Sequence, residues 1–327
     1  MKVLISTSGD EDKQLFSECN QELGLELHFC NSDFSDVPAG ERYLAAIAPG
    51  ARHHVGPETA EHLSRLGVRY LAVRSTGYDH VDLPALHANG IRLANGRAYS
   101  PNAIADLAFM MGLSLLRGLP QANIDCAAGD FRRQYPLARE VRDCTVGILG
   151  TGAIGFTVAR YYASLGADVL GWDKFPRSGA EEVLTYVGFD ELLSRCDIIS
   201  IHLPYIEGQT DNIISARELA LMRPDTVFVN AARGELVDFA AVLDAVESGR
   251  LAGYGCDALL REECVIGRCL TGEGDPQLKR AMELYPKVLI TPHIGAWTAR
   301  ARRNMARIAL QNAQEFMTTG QCADEVK

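Results

Sequence analysis

Four things are scarce in this 327-residue chain, and each scarcity removes a class of protein. Long hydrophobic runs are missing: the longest, 107–116, is closed by Asp106 and Arg117 and interrupted by Gly112 and Ser114. That is well short of the ~20 residues a bilayer span requires, so no membrane partner is expected. Little at the start reads as a secretory leader, because Met1-Lys2-Val3-Leu4-Ile5 gives way at once to polar and acidic residues without a small-residue cleavage site, so no secretory signal is expected there. Positive charge is short: 32 basic residues stand against 42 acidic ones, a net charge of −10, and such a molecule repels nucleic acid and anionic lipid. Finally, the nine cysteines are odd in number and contain no C-x-x-C pair. They read as thiols of a reducing, cytoplasmic protein, and no Cys/His cluster has the spacing of metal ligands, so no metal is expected.

What remains is a chain that is 47% apolar and long enough for two cores. Short β-branched runs alternate with helical stretches along nearly its whole length, which predicts an α/β protein of parallel sheets covered by helices on both faces. Strands are expected at 3–6, 25–29, 44–48, 70–74 and 91–94, then at 145–149, 167–172, 198–203, 226–230, 253–256 and 288–290. The two sets describe two Rossmann-like, doubly wound domains, one of roughly five strands and one of roughly six. Ser100 and Pro101 suit the cap and first turn of an apolar helix at 103–116, which would carry the chain from one domain into the other. A return crossing is expected after Trp297, with Thr298 capping a last helix at 299–318. The first domain is then discontinuous, 1–98 with 299–327, and the second, 99–298, is inserted. Arg300, Arg302, Arg303 and Arg307 of the last helix read as solvated surface.

Directly after the strand at 145–149 comes Gly150-Thr151-Gly152-Ala153-Ile154-Gly155, opening a helix. A second strand follows and ends at Asp173, 23 residues beyond Gly150. Three glycines at this spacing serve a tight turn, close approach of a diphosphate and close helix packing, and the acidic residue accepts from ribose hydroxyls. The cofactor implied is NAD, because Asp173 would repel a 2′-phosphate, although Lys174 and Arg177 lie close by.

Three further polar positions follow strands of the second sheet: Ala231-Ala232-Arg233, Asp257 with Glu262 and Glu263, and Thr291-Pro292-His293. An arginine that clamps a carboxylate, a histidine that moves a proton and a carboxylate that orients it form a set suited to oxidising a 2-hydroxy acid.

Together with Arg74-Ser75-Thr76-Gly77-Tyr78-Asp79, Tyr99-Ser100-Pro101-Asn102-Ala103 and His202-Leu203-Pro204, these segments make the sequence resemble the D-isomer-specific 2-hydroxyacid dehydrogenase family over nearly its whole length. The resemblance implies a flavodoxin-like substrate domain, an inserted NAD domain, a cleft that closes on substrate and a homodimer. It implies Arg233 as the substrate-binding arginine, His293 as acid/base and Glu262 as its partner, with Glu263 a competitor for that role. It assigns Asp257, His202, Leu203, Pro204, Ala231 and Ala232 to the cofactor with the glycine loop. The Thr76 and Gly77 amides would grip the substrate carboxylate, and Tyr99 would line the site as in the D-lactate dehydrogenase branch. Ala296, where that branch tends to carry an aromatic ring, and the Gly253-Tyr254-Gly255-Cys256-Asp257 run resemble the (R)-2-hydroxyglutarate branch instead. Arg52, beside His53 and His54, is the candidate cation for a second substrate carboxylate. The substrate expected is a small 2-oxo or 2-hydroxy acid, with a bulkier 2-oxo acid or a non-catalytic NAD-sensing scaffold as alternatives.

Overall fold

The computed structural model describes every residue except 8, 32, 39, 49–52, 98, 261, 271–274 and 327, and of Glu263 the backbone alone. Arg52 therefore lies outside the described residues, as does the Glu263 side chain. The chain forms two units, Met1–Ser100 with Thr298–Lys327, and Pro101–Trp297.

In the first unit, β1 (Lys2–Ser6), α1 (Asp10–Cys19), β2 (Glu26–Cys30), β3 (Ala45–Ile47), α2 (Pro57–Arg65), β4 (Tyr70–Ala72), α3 (Leu83–Ala88) and β5 (Arg92–Ala94) build an all-parallel sheet of order β2-β1-β3-β4-β5. That is the flavodoxin-like order. The central strands β1 and β3 are buried on both faces, which is why they read as continuous apolar runs, whereas the edge strand β2 is only partly covered. Val3, Ile5, Ile47 and Ala72 pack under Ala306, Ala309, Leu310 and Ala313 of the C-terminal helix Ala299–Thr319, whose first turn Thr298 caps by accepting from the Ala301 N–H. One arginine expected to be solvated is half-buried, Arg302, which meets Asp12 and Glu11, whereas Arg303 meets Glu18 at the exposed surface as expected. The acidic first helix lies against them, so its charges and theirs offset one another.

The second unit runs α4 (Pro101–Leu116), α5 (Leu119–Ala127), β6 (Thr145–Leu149), α6 (Ala153–Ser164), β7 (Asp168–Trp172), β8 (Thr185–Tyr186), α7 (Phe189–Arg195), β9 (Ile198–Ile201), α8 (Ala216–Leu221), β10 (Val227–Asn230), α9 (Phe239–Glu247), β11 (Gly253–Cys256), α10 (Pro276–Glu283) and β12 (Val288–Ile290). Its sheet is parallel with the order β12-β11-β10-β9-β6-β7-β8. The seventh strand, β8, is two residues long and too short to show a period in the sequence. The apolar run at 107–116 lies in α4, where Ala108 and Met111 are buried against the sheet. No single helix among the described residues is long and apolar enough to cross a membrane.

Register positions the site. Leu149 pairs with Trp172 and Ile201, Ile201 with Asn230, Asn230 with Cys256, and Cys256 with Ile290. These six residues form one row across the sheet. Gly150, Asp173, His202, Ala231, Asp257 and Thr291 therefore leave it along one carboxyl-end edge, where open α/β sheets bind ligands.

Candidate active site

The switch point of the second sheet falls at β6, whose neighbours are β7 on one side and β9 on the other. Gly150 turns there with φ +91°, and a Cβ on it would lie 2.7 Å from the His202 carbonyl oxygen. The His202 N–H in turn donates to Leu149 O at 2.7 Å, so the ends of β6 and β9 are pressed together. At Gly155 a Cβ would come within 1.9 Å of Gly150 O, closer than any side chain can sit. Gly152 is the opposite case, since a Cβ there would meet nothing within 4 Å. The surface above it is open to a ligand. Gly152 also begins α6 without a side-chain cap, so the first-turn amides of Ala153, Ile154 and Gly155 have no side-chain acceptor. Open space over unpaired amides at a helix start fits a diphosphate.

Asp173 stands where β7 ends. Its Oδ2 accepts the Thr151 N–H at 2.6 Å and the Thr151 hydroxyl at 3.2 Å, and its Oδ1 accepts the Phe175 N–H at 2.9 Å. A carboxylate has about four acceptor sites, so one remains for a ribose hydroxyl. The neighbouring cations are engaged elsewhere: Arg177 lies 4.6 Å over the Phe156 ring and Lys174 5.7 Å over Phe175. The half-buried His202 ring has its pKa pushed down to about 4 by burial, and its Nε2 lies 2.8 Å from Ser200 Oγ. It is a neutral group at the carboxyl-end edge of the sheet. Leu203 is buried beside it and Pro204 is exposed.

Along the other half of the sheet, buried polar residues hold loops rather than facing solvent. Asn230, fully buried at the end of β10, accepts the Ala232 N–H at 3.0 Å and donates to Arg233 O at 2.8 Å. This local turn fixes Ala231, Ala232 and Arg233. Asp257 is 3% exposed and accepts from the Thr291 hydroxyl (2.6 Å), the Ile294 N–H (2.7 Å) and the Gly295 N–H (2.7 Å). It clasps the loop after β12 from both sides of His293. His293 has φ +54°, a left-handed conformation that is costly for a side-chain-bearing residue and persists where surroundings impose it. The Asp257 clasp imposes it.

His293 Nδ1 lies 2.7 and 2.8 Å from the two oxygens of Glu262, at the start of the short 3-10 turn Glu262–Cys264. Burial presses the imidazolium pKa down, but the hydrogen bond and negative charge of Glu262, helped by Asp257, outweigh it and the Arg233 charge, so the net displacement is upward. Arg233 is half-buried, donates through Nη1 to Ala232 O at 2.9 Å, and acts electrostatically on His293. Arg233, Glu262 and His293 thus belong to one constellation, with Asp257 beneath it.

The remaining expected residues lie in the first unit. After β4, Thr76 donates through its hydroxyl to Gly96 O at 2.8 Å, Asn95 Nδ2 donates to Thr76 O at 2.6 Å, and the Ser75 hydroxyl closes on Gly77 O at 2.7 Å. Among the described residues the Thr76 and Gly77 amides donate to nothing, which leaves two N–H groups on a braced loop. Tyr99 is half-buried and its carbonyl accepts from Asn304 Nδ2 at 2.7 Å. Sequence reasoning gave no role to the Asn230 side chain, to Thr291 or to Tyr186. For Asn230 a signal existed, an asparagine ending a strand three residues before the key arginine. For the other two there was none.

The family model described as "D-isomer specific 2-hydroxyacid dehydrogenase, NAD binding domain" matches residues 109–295. A D-2-hydroxyacid dehydrogenase (NAD(+)) of Clostridioides difficile is 31% identical over 333 residues, covering 100% of both chains. The D-lactate dehydrogenase of Treponema pallidum is 35% identical over 274 residues, covering 83% of this chain and 82% of its own. The solved structure of a D-2-hydroxyisocaproate dehydrogenase superposes with a TM-score of 0.88 at 30% identity, covering 100% of this chain and 99% of that one.

Proposed function

Because this chain belongs to the D-isomer-specific 2-hydroxyacid dehydrogenase family and is an NAD-dependent oxidoreductase of that kind, we propose that it reduces a small 2-oxo acid to the (R)-2-hydroxy acid with Arg233, Glu262 and His293 as its machinery. The observation that carries this is the contact of His293 Nδ1 with both oxygens of Glu262. With Nδ1 engaged, Nε2 is the nitrogen that exchanges a proton with substrate. Bound NADH supplies the hydride that adds to C2. Arg233 holds the substrate carboxylate with its planar fork and polarises the carbonyl. His293 protonates the forming alkoxide, and Glu262 stabilises the imidazolium that this step consumes. In the first unit, the Thr76 and Gly77 amides, which donate to nothing among the described residues, suit a carboxylate as well.

For the side chain of the substrate we favour 2-oxoglutarate, with pyruvate second. Ala296, three residues past His293, leaves room beyond a methyl group, and Arg52 is the candidate partner for a distal carboxylate. The test is NADH oxidation with pyruvate, 2-oxoglutarate, 2-oxoisocaproate and phenylpyruvate, repeated with Arg52→Ala. A loss confined to 2-oxoglutarate supports the assignment, and equal rates on every substrate overturn it. We also read the chain as a homodimer, on the exposed apolar side chains Met110, Leu119, Ile124, Phe131 and Leu137 along one stretch of the second unit. Sedimentation velocity at micromolar concentration giving only a 35.6 kDa species would refute that.

A further inference from the structure

Tyr186 ends the edge strand β8 and belongs to none of the motifs above. Its hydroxyl lies 2.7 Å from Thr151 Oγ1 and accepts the Arg177 N–H at 2.8 Å. Thr151 is buried at 1% exposure inside the glycine loop, and both its N–H and its hydroxyl reach Asp173 Oδ2. These contacts admit one set of proton directions. A carboxylate only accepts, so the Thr151 hydroxyl donates to Asp173; its oxygen then accepts, so Tyr186 donates to it; and the Tyr186 oxygen takes the Arg177 N–H. The resulting chain runs from the backbone beyond β7, through Tyr186 and Thr151, to the carboxylate at the end of that strand.

We infer that Tyr186 is a positioning residue for the adenosine end of NAD, setting through Thr151 both the seat of the glycine loop and the rotamer of Asp173. The inference rests on the reading of Asp173 as the ribose acceptor and adds to it a residue that acts through Thr151. The geometry supports it in two ways. Thr151 sits between Gly150 and Gly152, so any loosening of its side chain is transmitted to the amides around the diphosphate. Arg177 N–H, held by the same hydroxyl, anchors the segment that carries Arg177 onto Phe156. Removing one hydroxyl therefore releases two anchors at once.

Tyr186→Phe keeps the ring and deletes the hydroxyl. NADH affinity, measured by fluorescence titration, should fall about threefold to tenfold, the span of one or two neutral hydrogen bonds. The inhibition constant of ADP-ribose should rise by the same factor. The rate constant at saturating NADH and the KM for the oxo acid should stay within twofold, a split that general loss of structure would not give. Thr151→Val interrupts the same chain from the other side and should weaken NADH comparably, with Tyr186→Phe adding little on top of it. Additive losses, or an unchanged NADH affinity in Tyr186→Phe, overturn the proposal. Asp173→Asn separates it from the reading beneath it: if that variant binds NADH normally the ribose assignment falls, whereas a weakened Asp173→Asn beside an unaltered Tyr186→Phe removes Tyr186 alone.

Discussion

The two ends of the second sheet are built on different plans. At the proposed cofactor end, one continuous β-α-β unit from Thr145 to Asp173 supplies the turn, the helix start and the carboxylate, and these parts touch each other directly. At the proposed proton-transfer end, β10, β11 and β12 each contribute one segment, and the parts are joined by buried polar residues, Asn230 under Arg233 and Asp257 under His293. The first plan is local in sequence and tolerates little change in backbone, because Gly150 and Gly155 stand where no Cβ fits. The second is non-local and depends on a few side-chain hydrogen bonds, each worth roughly 1 kcal/mol net but more costly when one partner is left buried and unpaired. Damage at one end should therefore be separable from damage at the other.

The sharpest test of that separation is His293→Ala. General acid–base catalysis contributes about 10²–10⁴-fold, so turnover should fall by that factor while NADH affinity stays within twofold of the parent. Stopped-flow hydride transfer and NADH fluorescence titration measure the two quantities on one sample. If NADH binding collapses with turnover, the two ends are one mechanical unit and the distinction is wrong.

The same contrast explains what could be read before any coordinates. The glycine loop and Asp173 declare themselves by spacing, because one strand, one helix and one further strand of ordinary length place them together whatever the rest of the chain does. Arg233, Glu262 and His293 are separated by 29 and 31 residues, and nothing local says that their strands are neighbours. Their grouping followed from three polar residues placed after three strand-like runs and from the resemblance of the surrounding segments. The register row from Leu149 to Ile290 supplies the physical reason, since it brings every strand end to one edge. Asp257 illustrates what spacing does not reveal. The resemblance assigned it to the cofactor, and the fold gives it a further task that spacing did not show, since its oxygens receive three donors from the loop that carries His293. A side chain that organises another segment looks, in sequence, the same as one that meets a ligand. β8 was missed because two residues carry no period, and Tyr186 was missed with it.

A finer probe of the proton-transfer end is Glu262→Gln, which keeps the shape and an acceptor but removes the charge. Burial lowers the His293 pKa and Glu262 is the main influence raising it, with a net upward displacement from 6.5. Reduction needs the imidazolium, so the activity of the parent enzyme fails as pH rises through that elevated pKa. Without the Glu262 charge, burial and Arg233 are opposed only by the remaining hydrogen bond and by Asp257, and the failing limb moves to lower pH. The loss of reductive kcat at pH 8 should be on the order of tenfold, smaller than for His293→Ala because the imidazole is still present. Oxidation of the hydroxy acid needs the neutral ring, so its rising limb should move to lower pH in the same variant. Opposite effects on the two directions at a single pH distinguish loss of a charge from loss of structure, which would depress both. A pH profile that does not move in either direction would mean that the Glu262 contact orients His293 without setting its charge, and the electrostatic half of the proposed mechanism would have to be given up.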